Sequence, residues 1–131
     1  MSIKPSLEEL LQRINYDGRL LSSPQESLLL TEKIVEAMHD DEEYSFIIKF
    51  KSNGFYTKPT YLPLDKDEVS SYNSNIISLC SSYNLPLPKP SNYPIQCIVV
   101  DLTKSQYYEI REEALIKWVR CEFPYSMFKQ K

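Results

Sequence analysis

The sequence predicts an α+β domain in which a small, partly antiparallel sheet, made of a hairpin over 44–62 and a strand over 95–102, packs with three or four helices. Three observations carry this. Capping signals precede two apolar-periodic runs, the period then switches to two and ends at Asn53-Gly54, and an almost unbroken apolar run spans Ile95 to Leu102. At 131 residues, a single domain over 1–131 is expected. A content of 42% hydrophobic and 25% charged residues is that of a globular chain and too apolar for a disordered one.

Ser6-Leu7-Glu8-Glu9 is a capping box, because the serine hydroxyl and the glutamate can satisfy free amides of a first helical turn. Leu7, Leu10, Leu11 and Ile14 follow at helical spacing, and Gly18 can end the helix, which predicts helix over 6–16. Ser23-Pro24-Gln25-Glu26 repeats the signal with proline in the first turn. Leu30, Ile34, Val35 and Met38 give this second helix its buried stripe, ending near His39.

From Tyr44 to Lys51 the alternation puts Tyr44, Phe46, Ile48 and Phe50 on one face and Ser45, Lys49 and Lys51 on the other, with Ile47 as the misfit. Asn53-Gly54 suits a two-residue type I′ turn, and Pro59 and Pro63 confine the returning strand to an edge. Asp65 to Asn84 reads as a third helix with Val69, Tyr72, Ile76, Leu79, Cys80 and Tyr83 on its apolar side, and Leu85 to Pro94 as an extended, proline-rich connection. The run Ile95–Leu102 reads as a central strand. Over Tyr107–Cys121 residue propensity favours a helix, with a further hairpin as the alternative.

No catalytic residue, cofactor or metal is assigned. Gly18 and Gly54 are the only glycines, too few for a phosphate-cradling loop or a nucleophile elbow. Cys80, Cys97 and Cys121 are widely spaced, which predicts buried free thiols instead of a disulfide or zinc framework, and His39 is the one histidine that could activate them. His39-Asp40-Asp41-Glu42-Glu43 has the wrong spacing for a cation cage and reads as a solvated acidic linker. Asp101, near the end of an apolar strand, is a candidate metal carboxylate for a hydrolase or nuclease only if Glu109, Glu112 or Glu113 folds back toward it. Otherwise it caps the next turn or pairs with Lys104.

The hairpin is the most informative feature. A two-residue turn sets Lys51 across from Tyr56, Lys49 across from Lys58 and Phe46 across from Tyr61. Opposed lysines repel, and a basic face with an aromatic suits acidic protein segments or single-stranded nucleic acid. The expected binding residues are therefore Lys49, Lys51, Tyr56, Lys58 and Tyr61, together with Tyr93 in the proline-rich connection. Residues 1–43 hold four basic and ten acidic side chains, a charge of −6, whereas residues 44–131 carry +3. The expected function is a non-enzymatic interaction or regulatory module whose partner is another protein. A nucleic-acid-binding accessory protein and a metal-dependent nuclease or hydrolase using Asp101 are the alternatives. With no secretory leader pattern and no apolar run near 18 residues, a cytoplasmic protein off the membrane is expected.

If Ser23 caps the second helix, Ser23→Ala lowers stability by about 0.5–2 kcal/mol. The urea midpoint measures this, and an unchanged midpoint would place the helix start elsewhere.

Overall fold

The Ser6 hydroxyl accepts a hydrogen bond from the Glu9 amide and opens α1 (Leu7–Arg13), and the Ser23 hydroxyl does the same for the Glu26 amide at the head of α2 (Pro24–Ala37). These contacts belong to a computed structural model that describes residues 3–51, 77–86 and 97–129. Glu26 reaches back to accept from the Ser22 amide and hydroxyl at 2.7 and 3.0 Å, which holds its pKa below the ordinary carboxylate value.

α1 stops short of Gly18 because Asn15 takes the left-handed conformation (φ 54°) first. The Tyr16 and Asn15 amides then bond back to the Leu11 and Gln12 carbonyls, the pairing of a Schellman motif. Asn84 (φ 57°) plays the same part for α3, which is helical over 77–83, and the Leu85 amide bonds back to the Cys80 carbonyl. Asparagine tolerates this region better than most side chains. The rest of the expected third helix, over 65–76, lies outside the described residues.

The sheet is antiparallel throughout and ordered β2-β1-β3, with β1 at Glu43–Phe50, β2 at Cys97–Thr103 and β3 at Ile116–Cys121. Tyr44, Phe46, Ile48 and Phe50 are buried, as the alternation predicts. They share their face with Ile98 and Leu102 of β2 and with Ile116, Val119 and Cys121 of β3, and the stripe Leu30, Ile34 and Val35 of α2 completes the core. Where α2 meets the sheet it buries two hydroxyls that are both satisfied. Ser27 donates to the Pro24 carbonyl at 2.6 Å, and Thr31 donates to the Ser27 carbonyl at 2.8 Å while accepting from the Cys121 amide at 3.0 Å.

Three expectations are corrected. Both hydrogen-bonding edges of β1 are taken by β2 and β3, so the residues across from Lys49 are Cys97 and Trp118 in place of Lys58. Ile47 was the sign of this, since a strand apolar on its second face suits the middle of a sheet. The turn Asn53-Gly54 and residues 55–62 lie outside the described residues. Second, β2 is an edge of the described sheet and not its centre, and Cys97, Val99 and Asp101 alternate outward from it. Third, the stretch expected as one helix divides in two. Thr103 and Gln106 form a capping box that starts α4 (Lys104–Ile110), and the chain then turns into β3, whose Ile116, Trp118 and Val119 favour extended backbone. Among the described residues no helix is long and apolar enough to cross a membrane.

The end of the acidic run is not a solvated linker. Glu42 is buried, and its carboxylate receives both arms of the Arg13 guanidinium at 2.7 Å each as well as the His39 amide at 2.7 Å. Arg13 also donates to the Ala37 carbonyl at 3.3 Å, so the last residue of α1 is tied to the end of α2 and to the entry of β1. These hydrogen bonds hold the Glu42 pKa at about 2, below an ordinary value of 4.5. Because the folded-state pKa is the lower one, the stabilisation is fully present above about pH 4.5 and is lost as pH falls toward 2. Arg13→Met strands a buried carboxylate and lowers stability at neutral pH by roughly 3 kcal/mol. Denaturant midpoints of the two proteins should converge as the pH is lowered through the carboxylate range, where Glu42 of the variant takes up a proton; a constant gap would refute the pairing.

Candidate functional site

The face of the sheet turned away from α2 is a short grid. Cross-strand pairing sets Val99, Ile47 and Arg120 in one row and Cys97, Lys49 and Trp118 in the next. Val99 is 55% exposed, Cys97 is exposed, and Lys49, Trp118 and Arg120 are half-buried. The chain's single tryptophan thus lies between two cations: Lys49 Nζ is 5.9 Å and Arg120 Cζ 5.0 Å from the Trp118 ring centroid. Arg120 Cζ also lies over the Phe128 ring, at 5.6 Å.

A bulge makes this possible. Trp118 is opposite Lys49 but Ile116 is opposite Phe50, which leaves Lys117 as the extra residue on β3. In a regular strand residues 116 and 118 would point the same way. With the bulge, Ile116 enters the core while Trp118 stays on the outer face.

Of the residues that the sequence singles out, Lys49 sits in the middle of this grid. Lys51 is exposed at the end of β1, its amide donating to the Leu115 carbonyl at 2.7 Å. Tyr56, Lys58, Tyr61 and Tyr93 lie outside the described residues. What sequence reasoning missed is Trp118, paired with Lys49, and Arg120 and Val99, paired with Ile47, all brought to β1 across long stretches of chain. The one local signal was the apolar Ile47 on an otherwise polar face.

No family model, curated protein or solved structure matches this chain. The site is therefore read from its own chemistry.

Asp101 is engaged at the far end of the same face. Lys4 Nζ donates to Ser45 Oγ at 2.8 Å and to Asp101 Oδ1 at 3.3 Å, and Ser45 Oγ donates to Asp101 Oδ1 at 2.8 Å. Neither expected role survives. Thr103 caps α4, and Lys104 bonds instead to the Glu36 and Met38 carbonyls at the end of α2, at 2.9 and 3.4 Å. The carboxylates that a metal site would need are dispersed, since Glu113 accepts from the Tyr83 hydroxyl at 2.5 Å and Glu112 lies 3.5 Å from Arg111 Nε. Among the described residues no group of three His, Cys, Asp or Glu side chains is placed to hold a metal ion.

A crevice of about 250 Å³ between α2 and the segment that follows α1 is lined by Tyr16, Arg19, Leu29 and Lys33. Its polar groups are largely satisfied from within: the Tyr16 hydroxyl donates to the Arg19 carbonyl, Asp17 accepts from the Arg19 amide, and Glu26 is held by Ser22.

The cysteines are all free, but they are not alike. Cys80 and Cys121 are buried as expected, and burial pushes the Cys121 thiol up to about 12. Cys97 departs from the expectation because it is on the outer face of an edge strand. Partial desolvation still raises its pKa, against the pull of Lys49 and Arg120, so its thiol is largely protonated at neutral pH. His39 is beside Glu42 and partners none of the three. One equivalent of a maleimide should therefore label the native protein, at Cys97, faster as pH rises. The other two thiols should react only on unfolding, and labelling of all three under native conditions would contradict the burial pattern.

Proposed function

We propose that this chain is a non-enzymatic interaction module that binds an acidic surface of another protein through the outer face of its sheet. The observation that carries the reading is the cluster of Lys49, Trp118 and Arg120 over two adjacent rows, two cations about one aromatic ring, with an exposed Val99 in the row of Arg120. Aromatic and arginine side chains dominate the energetics of protein interfaces, and a flanking cation steers an acidic partner onto them. At the far end of the same face Lys4 and Asp101 are paired with each other, and away from it Arg111 is paired with Glu32. A reducing, cytoplasmic setting suits a chain with three free thiols, one of them exposed.

A tryptophan flanked by cations is also how sheets stack the bases of single-stranded nucleic acid, which gives a second reading. Asp101 on the same face and a net charge of −3 weigh against it.

A photo-crosslinking residue placed at Val99 should trap a partner in the native cell, and one placed at Leu29, exposed on α2, should not. Lys49→Glu should reduce the adduct at least tenfold without changing the melting temperature by more than a few degrees, and added salt should weaken the parent adduct. Adducts of equal yield from both positions would sink the sheet-face reading. A nuclease-sensitive adduct would select nucleic acid.

A further inference from the structure

Three arginines of this molecule can be compared directly. Arg13 is paired with Glu42 and Glu9. Arg111 lies over the rings of Tyr107 and Tyr108, at 5.2 and 4.9 Å, and its guanidinium is engaged by Glu32 at 3.3 Å, Glu112 at 3.5 Å and the Tyr107 hydroxyl at 3.3 Å. Arg120 lies over two rings in the same way, Trp118 at 5.0 Å and Phe128 at 5.6 Å, yet has no carboxylate partner among the described residues. Its Nε is buried and without a hydrogen-bond acceptor, the only buried side-chain polar atom among the described residues in that condition.

A buried unsatisfied donor is costly; this one is covered by the chain itself, so an incoming carboxylate meets the guanidinium at its Nη groups, which make no hydrogen bond to the described residues. Aromatic flanks hold a guanidinium plane in place and leave its in-plane N–H groups for a planar oxyanion. Arg111 shows how this chain itself completes such a clamp, with glutamate carboxylates.

We infer that Arg120 is a preformed receptor for a carboxylate side chain on an acidic segment of the partner protein. This deepens the sheet-face reading above and rests on it. The neighbours select the occupant further. Lys49 supplies a second cation one row away, whereas Val99 and Ile47, in the same row as Arg120, offer apolar contact. A segment that alternates acidic and apolar residues matches that pattern. A phosphate backbone would need a run of cations, and in the row on the other side of Arg120 from Lys49 the face instead presents Asp101, with Lys4 already committed to it.

The probe is a capped octapeptide alternating glutamate and leucine, with a glutamine-for-glutamate peptide and a ten-residue oligothymidylate as comparisons. Trp118 is the only tryptophan, so its fluorescence reports this face alone, and the Arg120 Nε–Hε resonance reports the receptor itself in the unaltered protein. The acidic peptide should quench or shift Trp118 emission saturably and move the Nε–Hε resonance downfield, while the glutamine peptide should do neither. Arg120→Lys keeps the charge but loses the in-plane donors, and should weaken peptide binding at least tenfold; Arg120→Met should weaken it further. Unaltered affinity in Arg120→Lys, or an Nε–Hε resonance that stays in place at saturation, would overturn the inference. So would an Arg120-dependent preference for oligothymidylate. Val99 adducts that persist in Arg120→Lys would overturn the receptor while leaving the sheet-face reading intact.

Discussion

The guanidinium of Arg13 and the carboxylate of Glu42 meet through two hydrogen bonds of 2.7 Å at the one place where α1, the end of α2 and the start of β1 converge. A buried ion pair is weak evidence for net stability, because desolvating both charges offsets most of their attraction. Its contribution here is positional. Glu42 can be satisfied only if α1 lies along the exit of α2, and β1 begins at the next residue. Ile3 reinforces the junction from the other side, its amide donating to the Asp41 carbonyl and its carbonyl accepting from the Glu43 amide. The starting register of the sheet is therefore set from the helical layer.

From that starting point the sheet sorts side chains by face. The layer beneath it is apolar but for the satisfied hydroxyls of Ser27 and Thr31, and Thr31 meets the Cys121 amide, a contact that fixes β3 against α2. The outer layer receives what the core has no room for. The bulge opposite Lys49 and Phe50 is the device that separates Ile116 from Trp118, letting Ile116 join the core while Trp118 and Arg120 stay on the outer surface with Lys49. Core packing and the candidate site thus depend on the same irregularity.

What was legible in the sequence was local. Ser6 and Ser23 announce their helices through side chains that act within three residues, and the alternation of Tyr44, Phe46, Ile48 and Phe50 names the buried face of β1 without any partner being known. Lys49 on the opposite face follows from the same period. The rest depended on pairing at a distance. Glu42 looked solvated because its arginine is 29 residues away, and β1 looked like half of a hairpin because Asn-Gly follows it. The helical reading of 107–121 failed for a related reason. A seven-residue helix and a bulged six-residue strand in sequence leave no clean period of either kind.

Because β1 is completed from both sides by segments that come much later, the order of synthesis matters. Lys49 pairs with Cys97 and Phe46 with Cys121, so residues of the strand leave the ribosome roughly fifty to seventy-five residues ahead of their partners. At a synthesis rate of roughly 5–20 residues per second, that is a wait of about 3–15 seconds. During it an apolar, aromatic strand has both edges unsatisfied, the condition in which chains pair with the wrong partner. α1 and α2 precede it and have the matching apolar stripe, and the acidic residues around His39 stand directly upstream. The helical layer is thus available as a temporary cover for β1, and the run of charge as its gatekeeper, before either has its place in the finished fold.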